Sequence, residues 1–432
     1  VTRSLLDTEW LKRLSLYQRL FIGFSGGLDS TVLLHNLITH SSFANKLTAV
    51  HINHGLSPNA LAWQNHCQQF CSEYKIHFVV EQVEFERQAN IEEEARKARY
   101  QAFALLLEDK DGLVLGHHLD DQAETLLLQL FRGTGIEGLA AMAPVKKLAQ
   151  GELLRPLLHH SRQTLEEYAQ FYKLKWVDDE SNRDISFTRN YLRHQVLPLL
   201  RQRWPTMVNN LARTAQHCQQ AQANLDDLAR IDCPTLNQPS KTLPVTPLLV
   251  LNHHRLSNVL RLWLKSNQVQ LPSTSTFNRV IKEVIHAKED AKPLVAWRDV
   301  CIRRYQQMLY IIKNESRTCF QAKNWGSFPN PLIIEGLGKI ETKKGNKGLV
   351  LPEQAQIEIR FRQGGESFHW HGQTKPLKKL FQEWQIPPWK RDSIPLLYVN
   401  SHLAAVIGHA IADCFYKEDP CNAYQLFFSP SQ

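Results

Sequence analysis

The chain has no Cys-x2-Cys pair, no apolar run of membrane-spanning length and no Gly-x4-Gly-Lys-Ser/Thr loop. Each absence removes a class of protein. Eight cysteines in 432 residues are too sparse for a disulfide framework. Cys67 and Cys71 stand four apart on an expected helix beside His66. A zinc site needs about four ligands and no second pair is evident, so these two read as helix-face thiols. Without a long apolar run a membrane-spanning protein is not expected. Asp7 and Glu9 near the start, with no long apolar core around them, speak against a signal peptide, and a cytoplasmic location is expected. The missing Lys-Ser/Thr loop removes the Walker type of nucleotide site. What is present is a 43% hydrophobic composition, enough for real cores, in a length that suits roughly three domains. A net charge of +9 favours a polyanionic partner, nucleic acid first.

One stretch organises the rest: Leu20-Phe-Ile-Gly-Phe-Ser-Gly-Gly-Leu-Asp-Ser-Thr-Val-Leu-Leu34. Leu20 to Phe24 reads as a buried strand, Ser25 to Ser30 as a glycine turn, and Thr31 to His40 as a helix. Strand, turn and helix together bind anions, because turn N–H groups and the positive helix end point to one place. Gly26 and Gly27 let a phosphate approach the backbone, Leu28 continues the turn, and Ser25 and Ser30 add hydroxyl donors. Asp29 would repel a bare phosphate. It makes sense with a divalent cation between them, so the loop is expected to hold Mg²⁺ and a polyphosphate.

Downstream, strands alternate with helices. Leu47 to Asn53 is a second strand that ends near His51 and His54; 57–75 is a helix; Ile76 to Phe85 is a third strand. Ile91 to Leu107 is an amphipathic helix with Ile91, Ala95, Ala98, Ala102 and Leu105 on one face. Leu113 to His117 is a fourth strand. This order predicts a doubly wound parallel sheet, with ligands at the carboxyl ends of the strands. The Ser25 loop, His51–His54 and His117–Asp121 should therefore meet in one crevice. In Gly116-His-His-Leu-Asp-Asp-Gln-Ala-Glu-Thr125, one of Asp120 and Asp121 can join Asp29 on the metal or act as a base, with Glu124 one turn further on. Arg132-Gly-Thr-Gly-Ile-Glu-Gly138 contains a Gly-x-Gly-x-x-Gly but follows a helix, so it reads as a flexible turn near the crevice and not as a dinucleotide fingerprint. Thr164 with Glu167 suggests a capping box. From Ser181 to Arg203 there are five arginines and one acid. Arg189 and Arg193, four apart, share a helix face and suit a phosphate or a developing negative charge.

The remainder divides less sharply. Met207 to Leu228 reads as a long helix with a core stripe, and Leu294 to Ile312 as a short β-hairpin region. Asn324 to Pro352, rich in Gly, Lys, Asn and Pro, reads as a junction. From Arg360 to Arg391 there are seven Lys/Arg, two acids and six aromatics. That interleaving suits tRNA backbone and exposed bases, or a small core built from the same rings. The expected division is 1–205, a Rossmann-like α/β catalytic domain; 206–323, mainly helical; and 324–432, a small α+β domain.

Ser25-Gly-Gly-Leu-Asp-Ser30 resembles the pyrophosphate loop (PP-loop) of the N-type ATP pyrophosphatases. The later motifs, His51-Ile-Asn-His-Gly-Leu56, His117–Thr125, Arg132-Gly-Thr-Gly135, Arg155-Pro-Leu-Leu158 and Asp179 through Arg193, resemble in this order the bacterial tRNA(Ile)-lysidine synthetases. The likeness extends to Lys375-Pro-Leu-Lys-Lys-Leu-Phe381 and Pro387 to Leu397. Ser57 stands where relatives often carry a basic residue, so no phosphate contact is expected of it. The resemblance implies that ATP adenylylates the ring carbonyl oxygen of the wobble cytidine in a CAU-anticodon tRNA(Ile). Free L-lysine then displaces AMP to give lysidine, which moves reading from AUG to AUA and charging from Met to Ile. It implies ATP contacts at Ser25, Gly26, Gly27, Leu28, Asp29, Ser30, His51 and His54, and Mg²⁺ on Asp29 and Asp121. Asp121 is preferred to Asp120 by family register alone. Asp29, Asp121, Arg189 and Arg193 are the expected catalytic groups. Arg132, Lys375, Lys378, Lys379 and Arg391 are the expected tRNA contacts, and a homodimer is left open. A tRNA thiolation enzyme on the same loop would need paired reactive cysteines at the crevice, and the fourth-strand motif has none. A non-catalytic tRNA binder would have no use for the carboxylates.

Overall fold

The computed structural model describes residues 4–53, 55, 59–84, 91–288, 291, 293–313 and 320–430. They form two compact units, 1–228 and 229–432.

The first unit is built on a six-stranded sheet. After helix α1 (Thr8–Ser15) come β1 (Arg19–Gly23), α2 (Leu28–Ile38), β2 (Leu47–Asn53), α3 (Ala60–Glu73), β3 (His77–Gln82), α4 (Ile91–Leu106), β4 (Asp111–Val114) and α5 (Leu119–Phe131). α6 (Ile136–Leu139), β5 (Val145–Leu148), β6 (Gly151–Leu154) and α7 (Arg162–Phe171) complete the sheet region. The strand order is β3-β2-β1-β4-β6-β5. All neighbours are parallel except β5, an antiparallel edge paired with β6. Period-two alternation sends Leu20, Ile22, Ala49 and Val114 to one face, packed on α2, α3 and α7. Phe21, Val50, Leu113 and Leu115 go to the other, packed on Phe103 and Leu107 at the end of α4. Both faces are covered, as the near-continuous apolar strands require. The chain leaves β1 on one side for β2 and β3, then returns on the other side for β4, so the crevice opens between the carboxyl ends of β1 and β4.

Three local expectations need correction. In α4 the helical period holds but the buried face is turned: Leu105 is 88% exposed, and the buried positions are Phe103 and, just past the helix, Leu107. α7 is capped by Ser161, whose hydroxyl accepts from Thr164 N–H, so Thr164 lies inside the helix and is not its cap. The 132–138 segment is a helix end leading directly into α6, with Gly133 at φ +67°.

The arginine-rich segment forms α8 (Thr188–Tyr191), a π-turn over Leu192–Val196 and α9 (Leu197–Arg203), with Pro198 in the first turn of α9. A proline there has no N–H to continue the α pattern, which accounts for the wider turn before it. α10 (Met207–Asp232) runs four residues past Leu228.

In the second unit, helices His253–Ser266 and Thr274–Arg279 pack on a four-stranded antiparallel sheet around Trp263. The C-terminal region carries a five-stranded sheet, a three-stranded sheet and a hairpin. The stretch read as a junction is folded: Gly338–Leu349 pairs with Tyr416–Pro430 across the three-stranded sheet. Its glycines interrupt the ladder at register shifts between Gly345 and Lys347 and between Gly348 and Leu349.

One glycine decides where the site sits. A Cβ on Gly116, just past β4, would lie 2.8 Å from the Asp29 carbonyl oxygen in the first turn of α2. Only a residue without Cβ lets these two backbones meet. Gly116→Ala should lower unfolding free energy by about 1–3 kcal/mol, the usual size of an overpacking loss. Urea denaturation checks this, and an unchanged midpoint would show that the two segments can part at no cost.

Candidate active site

The phosphate loop spans the gap between β1 and α2. Gly26 adopts φ +82°, and a Cβ there would lie 2.8 Å from Cys67 Sγ. The loop is braced from within. Ser30 Oγ donates to Gly27 O at 3.0 Å, Thr31 Oγ1 donates to Gly26 O at 3.3 Å, and the Ser25 and Ser30 hydroxyls are 3.1 Å apart. Val177 N–H donates to Gly26 O at 2.9 Å, which ties the 176–182 segment to the loop. Gly27 is the N-cap of α2 and supplies no side-chain acceptor, so the first-turn N–H groups stay available to an anion.

Behind the loop, His51 is buried and donates from Nδ1 to Phe24 O at 3.0 Å. Burial lowers its pKa, so the ring is neutral with its lone pair on Nε2. Cys67 Sγ lies 3.6 Å from the same Nδ1. Burial pushes the Cys67 and Cys71 thiols up to about 12, which makes them poor nucleophiles beside the loop. His54 lies outside the described residues.

The carboxylates come from the start of α5. His118 is fully buried among three of them: Nε2 is 3.6 Å from Asp29 Oδ2 and 3.5 Å from Asp121 Oδ2, and Nδ1 is 3.6 Å from Asp120 Oδ2. Burial alone would lower its pKa, but Asp121, Asp120 and Asp29 outweigh it and push it up to about 10. The two candidate aspartates have different surroundings. Asp120 Oδ2 accepts from Arg162 N–H at 2.8 Å, at the start of α7, and Oδ1 meets Arg201. It joins three elements and is absent from the cavity lining. Asp121 lines the cavity; its Oδ2 accepts from His118 N–H at 3.0 Å. Its Oδ1 accepts from Arg189 at 2.9 Å and Arg193 at 3.2 Å. Burial opposes ionisation of both aspartates. Facing His118 and the arginines, each is still held well below the usual carboxylate range.

Glu124, one turn along α5, is the second anchor. Arg189 Nε donates to Oε2 at 2.7 Å, and Arg193 Nε donates to Oε1 at 2.6 Å. The Glu124 side chain is 1% exposed, whereas Arg189 and Arg193 keep 23% and 24% of theirs open. Both guanidiniums line a cavity of about 820 Å³ together with Ser25, Gly27, Leu28, Asp29, Ser30, His51 and Asp121. Apolar walls come from Val50, Ile52, Phe103 and Leu115. Arg96 and Arg99 of α4 also line it, and sequence reading missed them. The available signal was a pair of arginines three apart on the polar face of a helix read only for its apolar face.

Among the described residues no three His, Cys, Asp or Glu side chains are arranged to hold a metal unaided. Asp29 still fits one: its Oδ1 is buried with no hydrogen-bond partner. Asp121 is already engaged by the protein, with Oδ1 accepting from both arginines and Oδ2 from the His118 N–H.

The expected tRNA contacts scatter. Arg132 is exposed at the far end of α5 and does not line the cavity. Lys378 and Lys379 are exposed on helix Leu377–Glu383, while Lys375 is paired with Glu383 at 2.9 Å. Arg391 differs from expectation. It is 6% exposed, and donates to Ile386 O at 2.9 Å and to Tyr305 Oη at 3.3 Å, so its guanidinium packs the fold and is closed to phosphate. Phe368 and Phe381 are core residues as well.

Known proteins match along the whole chain. A family model described as a PP-loop domain matches residues 7–200. A TilS substrate binding domain matches 243–310, and a TilS substrate C-terminal domain matches 357–426. The tRNA(Ile)-lysidine synthase of Legionella pneumophila strain Philadelphia 1 is 53% identical over 427 residues, covering 99% of both chains. That of Coxiella burnetii is 43% identical, covering 91% of this chain and 89% of its own. That of Escherichia coli O157:H7 is 39% identical, covering 92% and 93%.

Arg193→Ala leaves buried Glu124 short of a partner, and should cost about 3–5 kcal/mol of stability as well as activity. Arg193→Lys should recover only part, because an ammonium cannot fork between two carboxylates. Chemical denaturation of the three proteins reads this, and equal midpoints would mean that the arginine does not stabilise the cluster.

The raised pKa of His118 has a defined sign. Its stabilising contribution is complete below the ordinary imidazole value and is lost as pH rises through about 10. Asp120 and Asp121, being depressed, contribute above the ordinary carboxylate range and lose it only in strong acid. Unfolding free energy should therefore decline from about pH 6.5 upwards. His118→Gln should flatten that decline, and an unaltered slope would mean that the imidazolium does not set it.

Proposed function

The chain belongs to the tRNA(Ile)-lysidine synthase family, and on that premise we propose that it joins lysine to the wobble cytidine of a CAU-anticodon tRNA(Ile) at the expense of ATP. One observation supports the chemistry most directly: the phosphate loop, Asp29 and the Arg189–Arg193 pair face a single cavity at the β1/β4 switch point. Its apolar wall offers a surface for a base, and its donors suit phosphates.

The reaction is read in two steps. The ring carbonyl oxygen of the cytidine attacks the α-phosphorus of ATP, the bond to the β-phosphate oxygen breaks, and pyrophosphate leaves. The lysine amine then adds at the carbonyl carbon, loses its proton and expels AMP. The N–H groups of the loop and first turn of α2 hold the departing pyrophosphate. Arg189 and Arg193, fixed by Asp121 and Glu124, meet the charge on the adenylate without having to reorganise. Asp29 supplies the open oxygen for Mg²⁺. Bound there, the ion would neutralise phosphate charge. Asp121 takes part mainly by aiming the arginines.

The tRNA body is assigned to the region beyond 324, with Lys378 and Lys379 as phosphate partners and 206–323 as the intervening domain. The salt dependence of tRNA affinity in a Lys378→Ala/Lys379→Ala protein reads that assignment, since removing one lysine–phosphate pair flattens the slope by about 1. An unchanged slope would reject it. No helix among the described residues is long and apolar enough to cross a membrane, and a cytoplasmic setting is proposed with the tRNA substrate.

Incubation with ATP, labelled lysine and unmodified minor tRNA(Ile) should place label in the tRNA. Asp29→Asn should reduce this more than about 100-fold while leaving the fold intact, because a neutral amide is a poor Mg²⁺ ligand. Pyrophosphate release without lysine incorporation would point to another acceptor.

A further inference from the structure

The cavity wall carries a histidine whose tautomer is set from behind. His117 lines the cavity just past β4. Arg155, buried, donates from Nε to His117 Nδ1 at 3.3 Å and from Nη1 to Ala143 O at 2.7 Å. Its backbone N–H is tied to Pro144 O at 2.9 Å. A guanidinium has donors and no acceptor, so His117 Nδ1 must present a lone pair to it. The ring hydrogen is then on Nε2, at the opposite edge of the ring from Arg155. His51 shows the reverse arrangement, with its hydrogen on Nδ1 toward a carbonyl.

A neutral imidazole with Nε2–H exposed to a ligand donates a hydrogen bond and has no lone pair there to take a proton. Its surroundings also choose the ligand. Arg96 and Arg189 line the same cavity, and Gly116, the preceding residue, packs on Asp29 of the phosphate loop. A donor among arginines beside a phosphate loop suits an anionic oxygen and disfavours an ammonium. We propose that His117 is a fixed Nε2–H donor to a phosphoryl oxygen of the bound nucleotide, and that Arg155 is the positioning residue that holds it in that tautomer. This rests on the nucleotide site proposed above. Burial supports the neutral form, lowering the His117 pKa to about 3; Asp121 opposes this, and Arg155, Arg189 and Arg96 add to it.

Three measurements on the full-length protein test the assignment. In the ¹⁵N-histidine spectrum, with His117 located by its loss in His117→Gln, the ring should show the Nε2–H tautomer from about pH 6 to about pH 8. Arg155→Met should release it into exchange between tautomers. By calorimetry, His117→Ala should weaken binding of ATP and AMP about 10–100-fold, the range for a hydrogen bond to a charged group. His117→Gln, which keeps a donor but no base, should recover most of that affinity. Lysine binding should not move in either variant.

The proposal is overturned by an Nδ1–H tautomer, by protonation of His117 within that pH range, or by unaltered nucleotide affinity in His117→Ala. It is overturned equally if the loss falls on lysine alone, since the donor would then serve the amino-acid carboxylate. A wild-type protein that binds ATP and shows these shifts but puts no lysine into tRNA would leave the donor assignment standing and reject the proposed reaction. A wild-type protein that binds no ATP overturns both.

Discussion

Four charged side chains govern this catalytic unit. Asp121 and Glu124 lie one turn apart on α5, and the forks of Arg189 and Arg193 close over them from α8 and the π-turn that follows. With two cations and two anions the cluster is neutral overall, which lets Glu124 be buried without an uncompensated charge. Such a cluster is weak evidence for net stability, because desolvation offsets most of the attraction. Its strength is in direction. Each guanidinium has five N–H donors, and those not used on the carboxylates remain to face the cavity. The arginines are therefore held in place by the fold itself.

The same cluster explains why two adjacent aspartates do different work. Asp120 and Asp121 are neighbours on a helix and so point in different directions. Asp120 turns to the N-terminus of α7 and to Arg201, and Asp121 turns to the cavity. His118 sits between them and Asp29 as a buried cation, holding together three carboxylates that would otherwise repel one another. The close approach of Gly116 to Asp29 completes the arrangement by bringing the start of α2 against the end of β4. The switch point of the sheet then becomes a site lined from both strands.

In the C-terminal region, composition and structure part company. The interleaved basic and aromatic residues between Arg360 and Arg391 satisfy two demands at once. Phe368 and Phe381 fill a small core together with Leu377, Leu380 and Ile386, and Trp370 and Trp384 pack against it. Arg391 is drawn inward by the Ile386 carbonyl and Tyr305. The charge left at the surface includes Lys378 and Lys379, on a helix whose other face supplies the core. A basic count along the sequence therefore overstates the basic surface.

Local chemistry made much of the catalytic fold legible in advance. Short apolar runs with glycine turns located the first four strands, since a parallel strand buried on both faces must be apolar throughout. Ser-Gly-Gly-Leu-Asp-Ser marked the phosphate loop, because each residue type there answers a local need of the backbone or the ligand. The four-residue spacing of Arg189 and Arg193 suggested a shared face; Arg189 lies in α8 and Arg193 in the π-turn after it, and both reach Glu124. What spacing could not supply was the identity of each side chain's partner. Leu105 shares the apolar period of α4 yet is exposed, because the sheet and not the helix decides which side is covered. Arg391 reads as a surface cation until its buried acceptors are known. The roles of Asp120 and Asp121, and the tautomer of His117, depend on groups 38 to 81 residues away in the chain. Sequence alone determined the strand order's raw material and the loop's chemistry. Tertiary structure decided which nitrogen of His117 is tied to Arg155, and which of the two aspartates lines the cavity, because hydrogen-bond direction is set by whatever packs behind it.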